Sequence, residues 1–309
     1  MEQKKFDCYQ MVTDKIVALL EKGLIPWAKP WTSGKSIKGP INAAWSHSTG
    51  EAYSLLNQMM LSDPEKDYKT IAELMSDVCG EWLTFKQVQE AGGKIKKGAK
   101  GRPVVFFKPL EVEDKEHTDE DGNPKKKTIP ILKYYTVFKL DQTEGIKQKY
   151  HNETTEETPE PEKNKTAEEI KDDYLKHYGV KLNHVAGDRA YYSPMLDCVV
   201  LPKREQFKGS TEYYETLFHE LTHSTGHESR LNRLKGVAAF GDEVYSTEEL
   251  VAEIGAASIL ATLGMSNDKT LNNSAAYIQS WLKALKNDKK MIVVASARAE
   301  KALDMILNA

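Results

Sequence analysis

The chain has 309 residues, of which 40% are hydrophobic, and a formal net charge of −3 at pH 7. This length is sufficient for two domains of ordinary size, and the charge argues against a uniformly basic nucleic-acid-binding protein. The sequence has no apolar run long enough to cross a bilayer, and residues 1–10 lack the apolar core of a signal peptide. We therefore expect a cytoplasmic protein without a membrane partner. Three widely spaced cysteines (Cys8, Cys79 and Cys198) indicate neither a disulfide framework nor a cysteine zinc site.

The first predicted element is an amphipathic helix. Its apolar positions recur at helical spacing and are Val12, Ile16, Leu19 and Leu20. Short strands and loops are expected after it. Two longer strands, near residues 103–109 and 129–140, are predicted to flank a polar hairpin tip at residues 111–127.

Aromatic and basic residues are interleaved along this first region. Its tryptophans are Trp27, Trp31, Trp45 and Trp82, and the basic residues of a glycine-containing loop are Lys94, Lys96, Lys97, Lys100 and Arg102. Rings that stack on bases, beside cations that contact phosphates, are what single-stranded DNA binding requires. These nine residues are therefore the candidate DNA-binding set. Tryptophans are more often core and lysine-rich loops more often solvated, so we expect the tryptophans to divide into core and stacking residues.

An acidic segment divides the chain near residue 155. Residues 153–162 are rich in Glu, contain proline and lack apolar side chains, so this stretch cannot form a core. We predict an N-terminal domain at 1–150, a linker at 151–172 and a second domain at 173–309. A fragment that ends near residues 145–149 is expected to fold alone and to bind single-stranded DNA.

The segment from His219 to His223 reads HELTH. Residues four apart share one face of a helix, so His219 and His223 can bind one metal ion while Glu220 lies beside it. This pattern is typical of zinc metallopeptidases. We predict a helix that begins with Ser210 or Thr211 as N-cap and stops at Gly226, with glycine in the left-handed conformation.

A catalytic zinc ion usually has three protein ligands, so a third must follow in the sequence. Ser229 stands where the metzincin pattern has its third ligand, and His227 lies beyond the predicted end of the helix. Glu249 and Glu253 share a face of the next predicted helix, and their ExxxE spacing resembles the ExxxD of thermolysin-like gluzincins. That pattern assigns Glu249 as the metal ligand and Glu253 as the residue that orients a histidine.

Two alternatives stay open for the third ligand. Ser246 and Glu249 also have the spacing of a capping box, which would hold Glu249 at the start of the helix and leave Glu253 to the metal. His227 remains a third candidate.

The expected chemistry is hydrolysis of a peptide bond. Zinc lowers the pKa of its bound water toward about 7, and Glu220 takes the proton and delivers it to the leaving amine. Tyr245 is the candidate for stabilising the oxyanion, with Tyr191 and Tyr192 as alternatives, although each also fits a packing role.

Two further helices are predicted at residues 275–282 and 291–307, where alanines allow close packing. They are expected to brace the metal-binding helices. Lys286, Lys289 and Lys290 fit a solvated face better than a nucleic-acid contact.

Motifs in both halves resemble those of ArdC-type antirestriction proteins. In the first half they are Ile25-Pro26-Trp27, Pro40-Ile41-Asn42, Glu81–Thr84 and Tyr135–Phe138. In the second half they are Ala190–Pro194, His219–His223, Thr225–His227 and Glu248–Glu253. The resemblance covers almost the whole chain in the same order.

The resemblance implies an α+β protein with an N-terminal α+β domain that binds single-stranded DNA and a C-terminal zincin-like, gluzincin-type metallopeptidase domain with Zn²⁺ as cofactor. Such proteins are carried by conjugative plasmids and transposons and protect incoming DNA from host restriction. The implied partners are single-stranded DNA and an unidentified protein substrate, for which a component of the restriction system is one candidate. The chain departs from the family at Ser224, where an aromatic residue is common.

Three functions remain open. The first is a zinc peptidase tethered to DNA, the second is a module that coats single-stranded DNA and keeps zinc for folding, and the third is a metal-dependent nuclease. Two histidines with one carboxylate favour the peptidase, and the sequence lacks the acidic cluster that would hold two divalent ions in a nuclease.

Overall fold

A computed structural model describes residues 6–27, 35–36, 39–40, 43–69, 71–118, 124–149, 167–234, 243–263, 265 and 275–309. These residues form an α+β protein, as predicted. Three predicted features lie wholly or mainly outside the described residues: Trp31, linker residues 151–166 and the hairpin residues 119–123.

The N-terminal half alternates short helices and strands. Its helices are α1 (Cys8–Glu21), α2 (Leu55–Met60), α3 (Ile71–Val78) and α4 (Phe85–Glu90). Its strands are β1 (Lys35–Ser36), β2 (Gly39–Pro40), β3 (Ala44–Ser46), β4 (Gly80–Thr84), β5 (Lys94–Ile95), β6 (Arg102–Thr118), β7 (Pro124–Lys139) and β8 (Thr143–Glu144).

The C-terminal half is mainly helical. Its helices are α5 (Ala167–Tyr178), α6 (Ser210–Ser224), α7 (Glu243–Thr262), α8 (Ala275–Asn287) and α9 (Met291–Leu307). Its strands are β9 (Lys181–Val185), β10 (Tyr191–Ser193) and β11 (Cys198–Pro202), and they form a sheet of order β10-β11-β9 with β10 at one edge. Helix α5 begins inside the last six residues of the predicted linker.

Helix α1 confirms the amphipathic pattern of the sequence. Asp7 caps its start by accepting hydrogen bonds from the backbone N–H groups of Tyr9 and Gln10. The four predicted apolar positions are all buried. Their burial sets the position of α1 against the rest of the molecule.

The β6–β7 hairpin is longer than the sequence predicted. It lies at one edge of a sheet of order β3-β4-β7-β6, and its strands continue through the expected polar tip. The backbone register runs through this stretch, with Glu113 opposite Lys126 and Asp114 opposite Lys125. Cross-strand pairing is a tertiary property, so hydropathy alone does not reveal it.

The two halves share part of their core, although one apolar cluster lies wholly in the C-terminal half. The prediction that a fragment ending near residues 145–149 folds alone did not include this shared part. One buried cluster contains Ile16 of α1, Val105 of β6, Ile254 of α7 and Ile292 of α9. Helix α7 contributes residues to each of the three apolar clusters of the described residues. A fragment that ended at residue 149 would expose the N-terminal side of this shared core.

Ion pairs at the surface join the same two halves. Lys286 contacts Glu21 at 2.6 Å, and Lys289 contacts Asp7 at 2.5 Å. Lys290 lies over the ring of Tyr9. These lysines therefore connect α8 and the start of α9 to α1, a role that the sequence did not predict. Among the described residues, none of the helices is long and apolar enough to cross a membrane.

Candidate functional site

Helix α6 carries both predicted histidines, but its ends differ from the prediction. Its N-cap is Gly209, so Ser210 and Thr211 already lie inside the helix. Thr225 is the C-cap, and Gly226 does not have a left-handed backbone. A Cβ atom at Gly226 would lie 2.9 Å from Leu234 Cγ and 3.1 Å from the His223 carbonyl oxygen. Glycine is needed there for the close approach of the returning chain.

Three predicted ligand groups converge between α6 and α7. The Nε2 atoms of His219 and His223 are 3.1 Å apart. Glu249 Oε2 lies 3.6 Å from His219 Nε2, and Glu249 Oε1 lies 3.4 Å from His223 Nε2. In the part of the chain that the structure describes, these residues are the one group of three or more that could hold a metal ion.

The spacing of these atoms fits a metal ion. Nitrogen and oxygen ligands of a tetrahedral ion lie about 2.0–2.1 Å from it, which places them about 3.3 Å from one another. The observed separations are 3.1 Å between the two nitrogens and 3.4 and 3.6 Å from each nitrogen to one of the two Glu249 oxygens, and they bracket this value. The donor set of two imidazoles and one carboxylate suits a divalent ion of the zinc type.

The capping-box alternative for Glu249 is wrong. Helix α7 begins at Glu243, three residues before Ser246, so Ser246 cannot be its N-cap. Glu249 is therefore free of that role and faces both histidines. Glu253 lies one turn further on, with its carboxylate 3.7 Å from His219 Nδ1. This geometry supports Glu249 as ligand and Glu253 as the group that orients His219.

Glu248 lies beside His223 as Glu253 lies beside His219. The sequence did not predict this contact. Its buried carboxylate lies 3.5 Å from His223 Nδ1. Arg233 holds the same carboxylate with two hydrogen bonds, of 3.1 and 2.8 Å, and also donates to the Thr222 carbonyl oxygen and the Thr225 hydroxyl. Both histidines therefore have a carboxylate at Nδ1, which leaves Nε2 for the metal.

The electrostatics of the group follow from burial and these contacts. Burial opposes ionisation of Glu249, but hydrogen bonds with His219 and His223 hold its pKa well below the ordinary range. Burial by itself lowers the pKa of His223, whereas hydrogen bonds to Glu248 and Glu249 raise it to about 10. Burial raises the pKa of Glu220 and of Glu253. A raised carboxyl pKa at Glu220 suits a group that takes and returns protons near neutral pH.

Glu220 is buried next to the edge strand β10, where the backbone N–H of Tyr192 donates a hydrogen bond to its carboxylate. The Tyr192 hydroxyl instead donates to Asp197 at 2.7 Å, and Arg230 also binds Asp197. Tyr191 is largely exposed. The candidate oxyanion residue Tyr245 lies in the first turn of α7, and its side chain is outside the described part of the structure.

Two residues just after the motif lie away from the metal group. The Nδ1 atom of His227 is 2.8 Å from the hydroxyl of Ser229, and the group of possible metal ligands does not include it. Ser224 is buried, and its hydroxyl is 2.9 Å from that of Tyr174 in α5. The serine at this family position therefore affects packing against α5.

Close packing of α6 on α7 sets the distance between the histidines and Glu249. A Cβ atom at Gly255 would lie 2.7 Å from Thr222 Cγ2 and 2.8 Å from Thr222 Oγ1. Thr222 is fully buried and donates its hydroxyl to the Phe218 carbonyl oxygen. Glycine at position 255 therefore permits this close helix contact.

The predicted stacking tryptophans are core residues. Trp27 is buried with its ring edge-on to Trp281, at 5.2 Å between centroids. Trp45 and Trp82 are buried in a second cluster, and the Trp82 indole donates to the Val78 carbonyl oxygen. None of these three rings offers a face to a base, so their assignment to DNA binding is wrong for this conformation. Trp31 lies outside the described residues.

The predicted basic cluster is only partly available to phosphates. Arg102 is mostly buried, pairs with Asp77 at 2.7 Å and lies over the Trp82 ring. Lys100 is exposed and pairs with Glu65, and Lys96 donates to the Asp141 carbonyl oxygen. The exposed residues of this cluster are Lys94, Lys96, Lys97 and Lys100. The role of Arg102 is structural, because its charge is paired with that of Asp77.

Both halves of the chain match described families. Residues 6–138 match the N-terminal domain of anti-restriction factor ArdC, and residues 169–298 match a zincin-like metallopeptidase. These matches confirm the two-domain layout. The boundaries at residues 150 and 173 stay predictions.

Solved structures resemble the chain over nearly its whole length. The metal-free crystal structure of antirestriction protein ArdC from the R388 plasmid is 38% identical, with a TM-score of 0.67 and 97% of each chain covered. The Mn(II)-bound structure of the same protein is 35% identical, with a TM-score of 0.69 and 98% of each chain covered.

Sequence relatives include longer proteins. Two Escherichia coli proteins named DNA primase TraC are 36% and 34% identical over 99% of this chain, which spans only 20% and 28% of their lengths. Protein y4eC of Sinorhizobium fredii (strain NBRC 101917 / NGR234) is an uncharacterized protein and is 32% identical, with 98% of this chain and 92% of its own length aligned.

Proposed function

Because the chain belongs to the ArdC antirestriction family, we propose that it is an antirestriction protein of a mobile element, with a single-stranded DNA-binding half and a zinc-dependent metallopeptidase site. In this proposal it protects incoming DNA from host restriction. The observation that carries the peptidase part is the convergence of His219, His223 and Glu249 beside the buried carboxylate of Glu220.

Each residue of the site has a separate task. His219, His223 and Glu249 would hold the ion, which when bound acts as a Lewis acid on a peptide carbonyl and on water. Glu220 takes a proton at its carboxylate and returns it to the leaving amine, and burial favours its protonated form. Glu253 and Glu248 orient the two imidazoles through Nδ1.

Zinc is the ion that we propose. A site of two imidazoles and one carboxylate is a common catalytic zinc arrangement, and zinc binds such donors more tightly than manganese. The Mn(II)-bound state of the related ArdC structure shows that this relative accepts another divalent ion. Metal analysis of the purified protein decides between them, and zinc bound at about one ion per chain is the expected result.

The DNA-binding part of the proposal has separate support. It is supported by the match of residues 6–138 to the N-terminal domain of ArdC and by the plasmid origin of the related structure. A protein substrate is not identified by the site, and a component of the restriction system is one candidate.

The test uses a single carboxylate. Glu220→Gln should lower hydrolysis of a quenched fluorescent peptide library by roughly 10²- to 10⁴-fold, and metal and DNA binding should be retained. Glu228→Gln is the matched control, because Glu228 lies exposed just after α6 and outside the metal group. Wild-type protein that hydrolyses no peptide with zinc bound would contradict the peptidase part.

Restriction protection in cells then separates the two halves of the proposal. Protection retained by Glu220→Gln assigns antirestriction to DNA binding, and protection lost assigns it to the peptidase. Equal DNA affinity of both proteins is the control for this comparison.

A further inference from the structure

The hairpin of β6 and β7 displays an unusual number of large apolar side chains. The exposed ones on its two strands are Phe106, Phe107, Leu110, Ile129, Tyr134 and Tyr135. Contiguous exposed apolar surface on a soluble protein usually marks an interaction site. The residue types around these side chains indicate which partner fits.

The strand register sorts these side chains onto two faces. Directly opposite residues of an antiparallel pair point to the same side, and neighbours along a strand alternate. Phe106 lies opposite Lys133, Val104 opposite Tyr135, and Lys108 opposite Ile131. The exposed pair Leu110 and Ile129 lies on the same side as Phe106, nearer the tip. Nearer the base, this side carries two aromatic rings, Phe106 and Tyr135, together with two exposed lysines, Lys108 and Lys133. We name these four residues the hairpin face.

The two rings of the hairpin face are accessible to solvent and pack against each other. Phe106 is 40% exposed and Tyr135 is 38% exposed, and their centroids are 5.7 Å apart with the planes at 55°. The Tyr135 hydroxyl is hydrogen bonded to that of Tyr53. Side chains of this kind can stack on a base without first leaving a core.

The base of the hairpin is anchored, which makes this face a fixed platform. Val104 and Val137 are buried in a core cluster. Asn57 of α2 donates to the Val105 carbonyl oxygen at 2.9 Å and accepts from the Val105 N–H at 2.7 Å. The exposed rings therefore begin directly where the packed part of the strands ends.

We propose that the hairpin face is a binding site for single-stranded DNA, an inference that rests on the DNA-binding part of the proposed function. Aromatic rings supply stacking for successive bases, and lysines beside them contact the phosphates. A protein partner is disfavoured, because lysine is depleted in protein interfaces. Unpaired bases are required, since bases inside a duplex are already stacked on their neighbours.

The test measures the affinity of the full chain for fluorescein-labelled oligothymidine and for a mixed-sequence oligonucleotide. Phe106→Ala and Tyr135→Ala should each weaken binding roughly 5- to 150-fold for both sequences. Phe107→Ala is the matched control, because Phe107 is the next residue, is 48% exposed and lies on the opposite face. Phe85→Ala tests an exposed ring on α4, and both controls should bind like wild type.

Two further variants distinguish a loss of base stacking from a loss of folding and from a loss of charge. Phe106→Trp should keep binding and gain a fluorescence signal that the oligonucleotide quenches. Lys108→Gln with Lys133→Gln should reduce the slope of log K against log salt concentration by about 1.4, whereas Lys301→Gln on α9 should leave it unchanged.

The outcomes distinguish this proposal from the one on which it rests. If wild type binds no single-stranded DNA at low salt, DNA binding itself fails. A second outcome is that wild type and the hairpin-face variants bind equally well, whereas variants of Lys94, Lys96 and Lys97 lose binding. In that case the chain binds DNA at the lysine loop, and the proposal for the hairpin face is overturned. Equal losses for Phe107→Ala and Phe106→Ala, or a changed oligomeric state in place of a changed affinity, also overturn it.

Discussion

The metal centre and the hairpin face differ in their exposure to solvent. At the metal centre, histidines and carboxylates are packed together between two helices, and burial together with their mutual hydrogen bonds sets their protonation. At the hairpin face, two rings and two lysines remain open to solvent. Metal ligands need fixed positions and low local polarity, whereas single-stranded DNA needs ring faces that it can reach. This difference explains why the buried tryptophans cannot serve as a DNA site in this conformation.

Helix α7 belongs to both regions. It carries Glu249 toward the metal group, and its Val251 and Ile254 lie in the cluster that also contains Val105 and Leu132 at the base of the hairpin. The two sites are therefore separate in chemistry and joined by packing. Variants can show how far each site depends on the other.

The largest effect is expected from removing both histidines. His219→Ala with His223→Ala should lose stoichiometric metal, because two of three ligands are gone, while DNA affinity stays within about twofold. Metal analysis after dialysis and fluorescence anisotropy with oligothymidine measure the two quantities. His227→Ala is the control and should keep its metal, since His227 lies outside the metal group. A double variant that retains one ion per chain would disprove the site.

The pH dependence of metal binding follows from His223. Its pKa in the metal-free protein is raised from 6.5 to about 10 by Glu248 and Glu249, against the effect of burial. Protonated His223 therefore stabilises the metal-free fold below pH 6.5, and this contribution is lost as the pH rises through about 10. A metal needs the neutral ring, so its affinity should rise with pH and binding should release a proton near pH 7. Calorimetry in buffers of different ionisation enthalpy measures that release.

Local spacing explains which parts of the metal centre were predictable. His219, Glu220 and His223 are fixed relative to one another by a single helix, so the motif alone predicts their arrangement. Glu248 is adjacent to Glu249, and only the packing of α7 and the position of Arg233 decide that both carboxylates meet His223. No spacing in the sequence reveals that contact.

Burial explains why the DNA-binding residues were harder to predict. A region that contains tryptophans and lysines has the same composition whether its rings are buried or exposed, and the sequence does not say which residues cover Trp45 or Trp82. The hairpin face also depends on cross-strand register, which pairs Phe106 with Lys133 from distant parts of the chain. Register is a tertiary property, so it required the structure.

An intermediate effect is expected at the carboxylate that the sequence missed. Glu248→Gln should weaken metal binding by about 10- to 100-fold, because His223 loses the anion that orients its ring and Arg233 loses its partner. Competition with a zinc chelator measures the affinity. Glu253→Gln should have an effect of similar size through His219, and Glu249→Ala should exceed both, since it removes a ligand. Metal affinity equal to wild type in Glu248→Gln would show that Glu248 only stabilises the fold.

The smallest effect on the metal centre is expected from Gly255→Ala, which pushes α7 away from α6 without touching a ligand. The added methyl would meet Thr222 Cγ2 at 2.7 Å, so overpacking should cost about 1–3 kcal/mol of unfolding free energy and weaken metal binding by less than tenfold. Gly209→Ala is the control, because a Cβ at that position meets nothing within 4 Å.

The decisive measurement is a double-mutant cycle by chemical denaturation. Thr222→Ala removes the atoms that the new methyl would strike, so the double variant should lose less than the sum of the single variants. Additive losses would show that helix spacing at Gly255 does not govern the distance between Glu249 and the histidines.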